Sequence, residues 1–224
     1  MVMKIQKSQK TAILFGATGL VGGYCLKFLL ESPLYSKVKT FNRRKLNIDH
    51  PKYEEYIIDF DKLEDYAGWM IGEDVFCCLG TTRKKAGSKA AFSKVDYTYV
   101  LKAAKLTAKN KANQFLLVSA VGADKDSMFF YNQIKGEIES SIQNLNFWSI
   151  HIFRPSLLLG SRNELRVGEK LAMYASSIFN LVTNKLAPKY SAVHGEQVAK
   201  TMILAAQRID GGTFIYESDE IQQF

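Results

Sequence analysis

A glycine loop near the start of the chain constrains the fold most. LFGATGLVGGY places Gly16, Gly19 and Gly22 directly after the apolar run Thr11–Phe15, at the start of a helical pattern. Gly16 suits a tight turn, Gly19 lets the backbone approach a pyrophosphate, and Gly22 allows the helix to pack closely on the strand. The first amides of that helix would face the phosphates, where the helix dipole favours negative charge. This pattern predicts dinucleotide binding, and the alternative is a purely structural turn.

Strand-like and helix-like segments alternate after this loop. Helical patterns cover Phe92–Lys109 and Phe129–Gln143, and a short apolar run lies between them. Such alternation predicts a parallel sheet covered by helices on both faces. We therefore predict an α/β, Rossmann-like, doubly wound parallel sheet of six to seven strands. The expected strands lie in TAILF, KVKTFN, YEEYIIDF, DVFCCLG, QFLLVSA, FWSIHIFRPS and GGTFIYES.

The length of 224 residues fits one large α/β domain, so we predict a single domain over residues 1–224. The alternation stops after Pro155, where SRNELRVGEKLAMYASSIFNLV has a helical pattern. We expect residues 156–195 to form a small helical region on the substrate side of this domain.

The end of the second strand bears on the choice of cofactor. An NAD site usually has a carboxylate there for the ribose hydroxyls, but this chain has Asn42, Arg43 and Arg44. Two guanidinium groups can bind a 2′-phosphate, so the sequence favours NADP(H), with NAD(H) as the second choice. The alternative is a basic cluster on the surface.

Other cofactor contacts follow from strand ends, since open α/β sheets bind ligands at the carboxyl ends of their strands. Asp59 and Phe60, after strand three, are expected near the adenine. The segment after strand four is expected against the middle of the cofactor. With the glycine loop, these expectations give contacts from Gly16, Thr18, Gly19, Leu20, Val21, Leu79, Gly80, Thr81 and Thr82.

A serine, a tyrosine and a lysine form the candidate catalytic set. Ser119 ends strand five, and Tyr131 and Lys135 share a face of the next helix because they are four residues apart. Tyrosine is a poor base at neutral pH, with a pKa of about 10, but a nearby ammonium and a nicotinamide cation favour its phenolate. Tyr131 could then exchange the substrate hydroxyl proton, Lys135 could hold the nicotinamide ribose, and Ser119 could bind the carbonyl oxygen. The alternatives are helix packing for the pair and a strand-end turn for Ser119.

The same tyrosine–lysine spacing occurs in YSKVK, at Tyr35 and Lys39. This second copy follows Pro33 and runs into the second strand, far from the predicted ligand-binding edge. We interpret it as a coincidence.

Several motifs together resemble the short-chain dehydrogenase/reductase family. Besides GATGLVGG, Ser119 and the Tyr131–Lys135 pair, the segments FCCLGTTRKKAG, FSKVDY, VSAVGADKDSMFFYNQIKGEIE and IFRPSLLLG resemble its atypical group typified by the Tat-interacting oxidoreductase-like protein. The resemblance spans about residues 12–208. It implies a Rossmann fold, NADP binding, a Ser-Tyr-Lys set at these positions, and an approach of Arg154 and the following residues to the nicotinamide. Some atypical members are regarded as nucleotide-binding regulators, and no substrate-specifying motif is evident after Pro155.

Charge and cysteine content bear on partners and location. The net charge is +8, but the lysines are dispersed, so we expect an anionic cofactor and neither a nucleic-acid nor a membrane partner. Cys25, Cys77 and Cys78 lack metal-ligand spacing and are expected to be buried thiols, with no metal site. The N-terminal residues lack a signal-peptide core, so we expect a cytoplasmic protein.

These observations give two functional hypotheses. The first is an NADP-dependent oxidoreductase acting on a small carbonyl or alcohol whose identity the sequence leaves open. The second is a regulatory or protein-interaction module that binds NADP(H) with weak catalysis. A protein partner and an oligomeric state both stay open.

Overall fold

The computed structural model describes residues 10–160 and 188–224. Its helices are α1 (Leu20–Glu31), α2 (Arg83–Ala86), α3 (Lys89–Ser93), α4 (Val100–Lys109), α5 (Phe130–Gln143), α6 (Gly195–Ala205) and α7 (Ser218–Gln223). Its strands are β1 (Lys10–Phe15), β2 (Tyr35–Asn42), β3 (Tyr53–Ile57), β4 (Asp74–Cys77), β5 (Gln114–Val118), β6 (Ser149–Arg154), β7 (Leu158–Leu159), β8 (Val193–His194) and β9 (Gly212–Glu217).

Within these described ranges, seven strands form one sheet in the order β3-β2-β1-β4-β5-β6-β9, and every neighbouring pair is parallel. The chain winds outward from β1 to β3, returns to β4 beside β1, and continues to the other edge. This is a doubly wound α/β sheet, as the sequence predicts. The reversal of strand order at β1 and β4 creates a crevice at their carboxyl ends.

The core lies on both faces of the sheet because strand side chains alternate in direction. On β1, Leu14 belongs to a buried cluster with Leu26 of α1 and Met202 of α6. Ile13 belongs to a second cluster, together with Val100 of α4. The near-continuous burial of the central strands explains why their sequences are apolar without alternation.

The predicted helix over Phe92–Lys109 is not uniform. The structure has α3, then a π-helical turn at Lys94–Tyr99, then α4. Single π-helical turns are uncommon and often occur at functional sites. This turn carries Asp96, which is 1% exposed.

Of the helical region predicted over residues 156–195, the structure describes only the two ends, residues 156–160 and 188–195. The helical pattern predicted within residues 156–195 falls mostly on residues 161–187, which lie outside the described residues. Of the described remainder, β7 and β8 form a two-stranded parallel sheet. Leu158 on β7 faces the crevice described below.

Candidate functional site

The glycine loop has the close packing that its sequence predicts. Gly16 has a positive φ of 83°, and a Cβ there would lie 2.6 Å from the carbonyl carbon and oxygen of Cys78. A Cβ on Gly22 would lie 2.0 Å from the carbonyl oxygen of Gly16. Only glycine fits either position, the first for conformation and the second for space. The loop therefore brings the N-terminus of α1 directly against the end of β4.

The backbone amides at the start of α1 create a region of positive electrostatic potential. Gly19 is its N-cap, no side chain caps it, and its first turn has no acidic residue. The first amides of a helix lack intrahelical partners and favour an anion. These amides border a cleft of about 700 Å³.

The cleft gathers most of the residues that the sequence singles out. It runs from the glycine loop, past the ends of β4 and β5, to the start of α5. Its lining includes the predicted residues Thr18, Gly19, Leu20, Val21, Arg44, Leu79, Gly80, Thr81, Thr82, Ser119, Tyr131 and Lys135. Their contacts with a cofactor stay a prediction.

A smaller cavity of about 80 Å³ lies beside the glycine loop. Gly16, Arg43 and Phe60 line it together with Tyr99. The two adjacent arginines therefore line different spaces. Arg44 lines the large cleft, and Arg43 lines the small cavity.

Three predicted cofactor residues line neither space. The buried amide of Asn42 donates to Thr40 and Glu55. Asp59 accepts a hydrogen bond from the backbone N–H of Asp61 and so begins a 3-10 segment. Both side chains thus have local structural partners.

Arg154, the third such residue, lies behind the cleft. Its guanidinium group forks onto the carboxylate of Glu139, with Nη2 2.6 Å from Oε2, and its Nη1 lies 3.1 Å from Glu217. Contact with Glu139 is the main cause that raises the pKa of Arg154. The structure therefore engages the guanidinium group in a network of carboxylates.

Ser119 belongs to the same network. Its Oγ donates to Oε1 of Glu139 in a short hydrogen bond, and both residues are nearly fully buried. Arg154 donates to the same carboxylate, so Glu139 accepts hydrogen bonds from both side chains. Ser119 therefore offers lone pairs to the cleft while its O–H points toward Glu139.

Tyr131 and Lys135 also line the cleft, from the helix that carries Glu139. Tyr131 is 37% exposed and packs on Phe92, with ring centroids 5.5 Å apart. Lys135 is buried, and its Nζ lies 2.8 Å from Oδ1 of Asp96. Burial alone would lower the pKa of Lys135, but Asp96 and Tyr131 together raise it above its usual value. Lys135 therefore remains an ammonium group beside Tyr131.

The second tyrosine–lysine copy lies elsewhere, as interpreted from the sequence. Both residues are on β2, and Tyr35 is at its amino end, opposite the cleft. The hydroxyl of Tyr35 donates to Asp74 at 2.8 Å, and Lys39 donates to the carbonyls of Trp69 and Ile71. Burial and Asp74 hold the pKa of Tyr35 well above its ordinary range. This copy has a structural role.

Two carboxylates of the site were missed by the sequence analysis. Glu139 lies four residues after Lys135 and eight after Tyr131, so a search along one face of α5 could have found it. Asp96 carries no comparable signal, because its lysine partner is 39 positions away on another helix.

Within residues 10–160 and 188–224, no helix is both long and apolar enough to cross a membrane. In the same ranges, no group of three or more His, Cys, Asp or Glu side chains could hold a metal ion.

The sheet, the glycine loop and the Ser-Tyr-Lys constellation define a Rossmann-fold protein of the short-chain dehydrogenase/reductase class. Among curated proteins, HTATIP2 of Rattus norvegicus is 45% identical over 167 residues, which cover 73% of this chain and 69% of the relative. FMP52-1 of Scheffersomyces stipitis is 34% identical, with 88% of each chain covered. The chain belongs to the family of these proteins, an atypical group within that class. No family model matches the sequence.

Solved structures with low sequence identity share the fold. The enzyme WbmH of Bordetella bronchiseptica, in complex with NAD+, gives a TM-score of 0.67 at 14% identity, covering 94% of this chain and 76% of WbmH. A short-chain dehydrogenase/reductase superfamily protein from Agrobacterium tumefaciens, with bound NAD, gives 0.67 at 12% identity, covering 92% and 77%. Both support the Rossmann-like architecture.

The relatives correct one prediction. FMP52-1 and several further yeast relatives are named as mitochondrial proteins. The prediction of a cytoplasmic protein is therefore wrong. It rested on the composition of the N-terminal residues, which argues against a secretory signal but indicates little about targeting to other compartments.

Proposed function

We propose that this protein is an NADP(H)-dependent oxidoreductase that transfers a hydride between the cofactor and a small carbonyl or alcohol substrate. One observation carries the proposal: Ser119, Tyr131 and Lys135 line the same cleft as the glycine loop. A dinucleotide bound along that cleft would extend from the amides of α1 toward Tyr131.

The residues present fit such a cofactor. The uncapped start of α1 and the absence of a Cβ at Gly16 and Gly19 suit a pyrophosphate. Arg43 and Arg44 are both exposed and line the cavities at this end of the sheet. In the sequence, β2 ends in Asn42 rather than in a carboxylate. These features support NADP(H) over NAD(H).

Each residue of the site then has a role. When bound, the nicotinamide supplies or accepts the hydride. Tyr131 exchanges the proton of the substrate oxygen, and its partial exposure keeps the hydroxyl accessible. Lys135 holds positive charge next to Tyr131, which favours the phenolate during proton transfer. Ser119 accepts a hydrogen bond from the hydroxyl of an alcohol substrate through its lone pairs, because its own O–H is directed to Glu139.

A second candidate is a regulatory module that binds NADP(H) and turns over slowly. The orientation of the Ser119 hydroxyl favours it, since a donor to a carbonyl oxygen would be absent at that position. Pairing of Arg154 with Glu139 and Glu217 further reduces the donors available. The two candidates share cofactor binding and differ in turnover.

The experiment that separates them combines binding and turnover. Calorimetry would measure the affinity for NADPH and NADH, and stopped-flow absorbance would follow NADPH oxidation with a panel of aldehydes and ketones. Oxidation that is lost in Tyr131→Phe supports the enzyme. Tight NADPH binding without oxidation by any carbonyl favours the regulatory module, and no binding of either cofactor overturns both.

The names of the yeast relatives support a mitochondrial location, which we include in the proposal. Subcellular fractionation of the native host with an antibody to the protein would test it. Recovery of the protein only in fractions other than the mitochondrial one would contradict it.

A further inference from the structure

The segment that follows β4 concentrates positive charge. Residues 81–94 contain no acidic side chain and five cationic ones, namely Arg83, Lys84, Lys85, Lys89 and Lys94. Thr82 caps α2 by accepting a hydrogen bond from the backbone N–H of Lys85, and Gly87 ends α2 with a φ of 79°. Local caps therefore hold these cations at the edge of the sheet where open α/β sheets bind ligands.

One aromatic ring anchors the segment to the start of α5. Phe92 of α3 is fully buried and packs on both Phe130 and Tyr131, with ring centroids 5.9 Å and 5.5 Å away. Arg83 and Lys89 lie over the Phe130 ring, with Cζ and Nζ 5.8 Å and 5.2 Å from its centroid. Because Phe130 directly precedes Tyr131, both cations lie close to the proposed acid–base residue.

Neither of these two cations is neutralised by a carboxylate. Arg83 and Lys89 are exposed, and in the part of the chain that the structure describes neither forms an ion pair. Lys94, by contrast, pairs with Asp61. Like charges on one ring repel each other, and a cation–π contact at an exposed site contributes only about 0.5–1 kcal/mol. An anion bound to both groups would remove that repulsion.

The proposed cofactor leaves these cations without a phosphate. Its anionic groups are assigned to the amides of α1 and to Arg43 and Arg44, at the glycine-loop end of the cleft. Arg83 and Lys89 flank the other end, beside Tyr131. Lys85 of the same segment lines the cleft together with Tyr131. The cationic segment therefore borders the space that a substrate would occupy.

We propose that the substrate carries an anionic group, a carboxylate or a phosphate, separate from its reacting carbonyl or alcohol carbon, and that Arg83 and Lys89 bind this group. The planar guanidinium of Arg83 matches two oxygens of either anion, and the ammonium of Lys89 adds a second charge-assisted donor. This inference rests on the proposed function, because it takes Tyr131 as the place where the carbonyl reacts.

Matched pairs of aldehydes test the substrate class. The carboxylate pairs are 4-oxobutanoate with butanal, 6-oxohexanoate with hexanal, and 9-oxononanoate with nonanal. The phosphate pair is glyceraldehyde 3-phosphate with glyceraldehyde. The readout is the ratio of kcat/KM for the anionic aldehyde to kcat/KM for its neutral partner, with NADPH as the reductant. We expect a ratio of about ten to a hundred in the pair whose length reaches the two cations.

Two double variants assign the preference to particular cations. Arg83→Gln with Lys89→Gln should lower that ratio by about ten- to a hundredfold. Lys105→Gln with Lys109→Gln is the matched control, because it removes two exposed cations of α4 that lie outside the cleft lining. Both double variants change the net charge equally, so a long-range effect of charge would act in both. The control should keep the ratio of the wild type.

The outcomes separate this inference from the proposed function. Turnover of neutral aldehydes with a ratio near one in every pair, or an unchanged ratio in the Arg83 and Lys89 variant, overturns the inference while the oxidoreductase stands. An equal fall in both double variants overturns it as well. A loss confined to the carboxylate pairs or to the phosphate pair supports it and identifies the anion.

If no aldehyde oxidises NADPH, the proposed function fails, and calorimetry with octanoate and octan-1-ol decides the inference separately. Tighter binding of octanoate that is lost in the Arg83 and Lys89 variant supports an anion site beside Tyr131. Equal binding of the two compounds, or binding of neither, overturns it.

Discussion

The hydroxyl of Ser119 donates to the carboxylate of Glu139, behind the cleft that the serine lines. Glu139 is held in turn by Arg154, which also contacts Glu217. The network links the end of β5, the middle of α5 and the ends of β6 and β9. A residue predicted to act on substrate is therefore also part of the packing between helix and sheet.

Removing the charge of Glu139 should destabilise the fold. In Glu139→Gln, the half-buried guanidinium of Arg154 keeps a single carboxylate partner, Glu217. Breaking an ion pair in which one partner is buried is costly. We expect the free energy of unfolding to fall by about 2–4 kcal/mol in urea titrations. Asp210→Asn, which removes the exposed partner of Arg208, is the control and should leave the urea midpoint unchanged. Equal midpoints for both variants would contradict the role of Glu139.

The two tyrosine–lysine copies should respond differently to loss of one hydroxyl. Tyr131→Phe should lower the rate of NADPH oxidation by about 10²–10⁴-fold, with NADPH affinity nearly unchanged, because only proton transfer is lost. Tyr35→Phe should leave the rate per folded molecule unchanged. It should lower stability by about 1–3 kcal/mol, since Asp74 loses a buried hydrogen bond. Stopped-flow kinetics and urea unfolding of both variants check this. A large loss of rate in Tyr35→Phe, with an unchanged rate in Tyr131→Phe, would refute the catalytic role of Tyr131.

The fold was predictable because its signals are local and repeated. The glycine loop after β1 and the apolar strands that follow it define the doubly wound order, and strand C-terminal ends must share one edge. Ser119 on β5 and Tyr131 with Lys135 on α5 reach the same cleft by that geometry alone. The sequence therefore predicts this grouping without any alignment.

The partners of buried polar groups were not predictable in the same way. Arg154 was expected to face the nicotinamide, but it pairs with Glu139 and with Glu217, which lies 63 positions away. Asp96 likewise pairs with Lys135 across two helices. Such pairs form because a buried charge needs an opposite charge, and the pattern of apolar residues does not indicate which one is near.

Cofactor preference should depend on the arginines after β2. The double variant Arg43→Ala with Arg44→Ala should weaken NADPH far more than NADH, since only NADPH has a 2′-phosphate for the guanidinium groups. We expect a loss of about a hundredfold for NADPH and less than about threefold for NADH, from one or two charge-assisted hydrogen bonds. Calorimetric titration measures both. Equal losses would mean that the arginines attract phosphates in general and do not select NADP(H).

Stability should fall in mild acid because of His151. This side chain is fully buried on β6, where it contacts Ser149, Tyr216 and Gln114. Burial, with a smaller effect of Arg208, lowers its pKa from 6.5 to about 4. Between these two values the unfolded chain binds the proton and the folded protein does not. The contribution of His151 to the free energy of unfolding is therefore fully present above about pH 6.5. It is lost as the pH falls toward 4, by at most about 3 kcal/mol.

Urea unfolding between pH 4.5 and 7.5 checks the effect of His151, with His151→Gln as the matched variant. Glutamine keeps hydrogen-bonding capacity at that position but does not titrate, so its stability should be lower at pH 7.5 and should depend less on pH. The nearby Asp74 acts in the opposite direction at the acid end, because burial raises its pKa, and it is present in both proteins. The difference between the two curves therefore isolates His151. Parallel curves would show that the imidazole does not titrate differently in the folded and unfolded states.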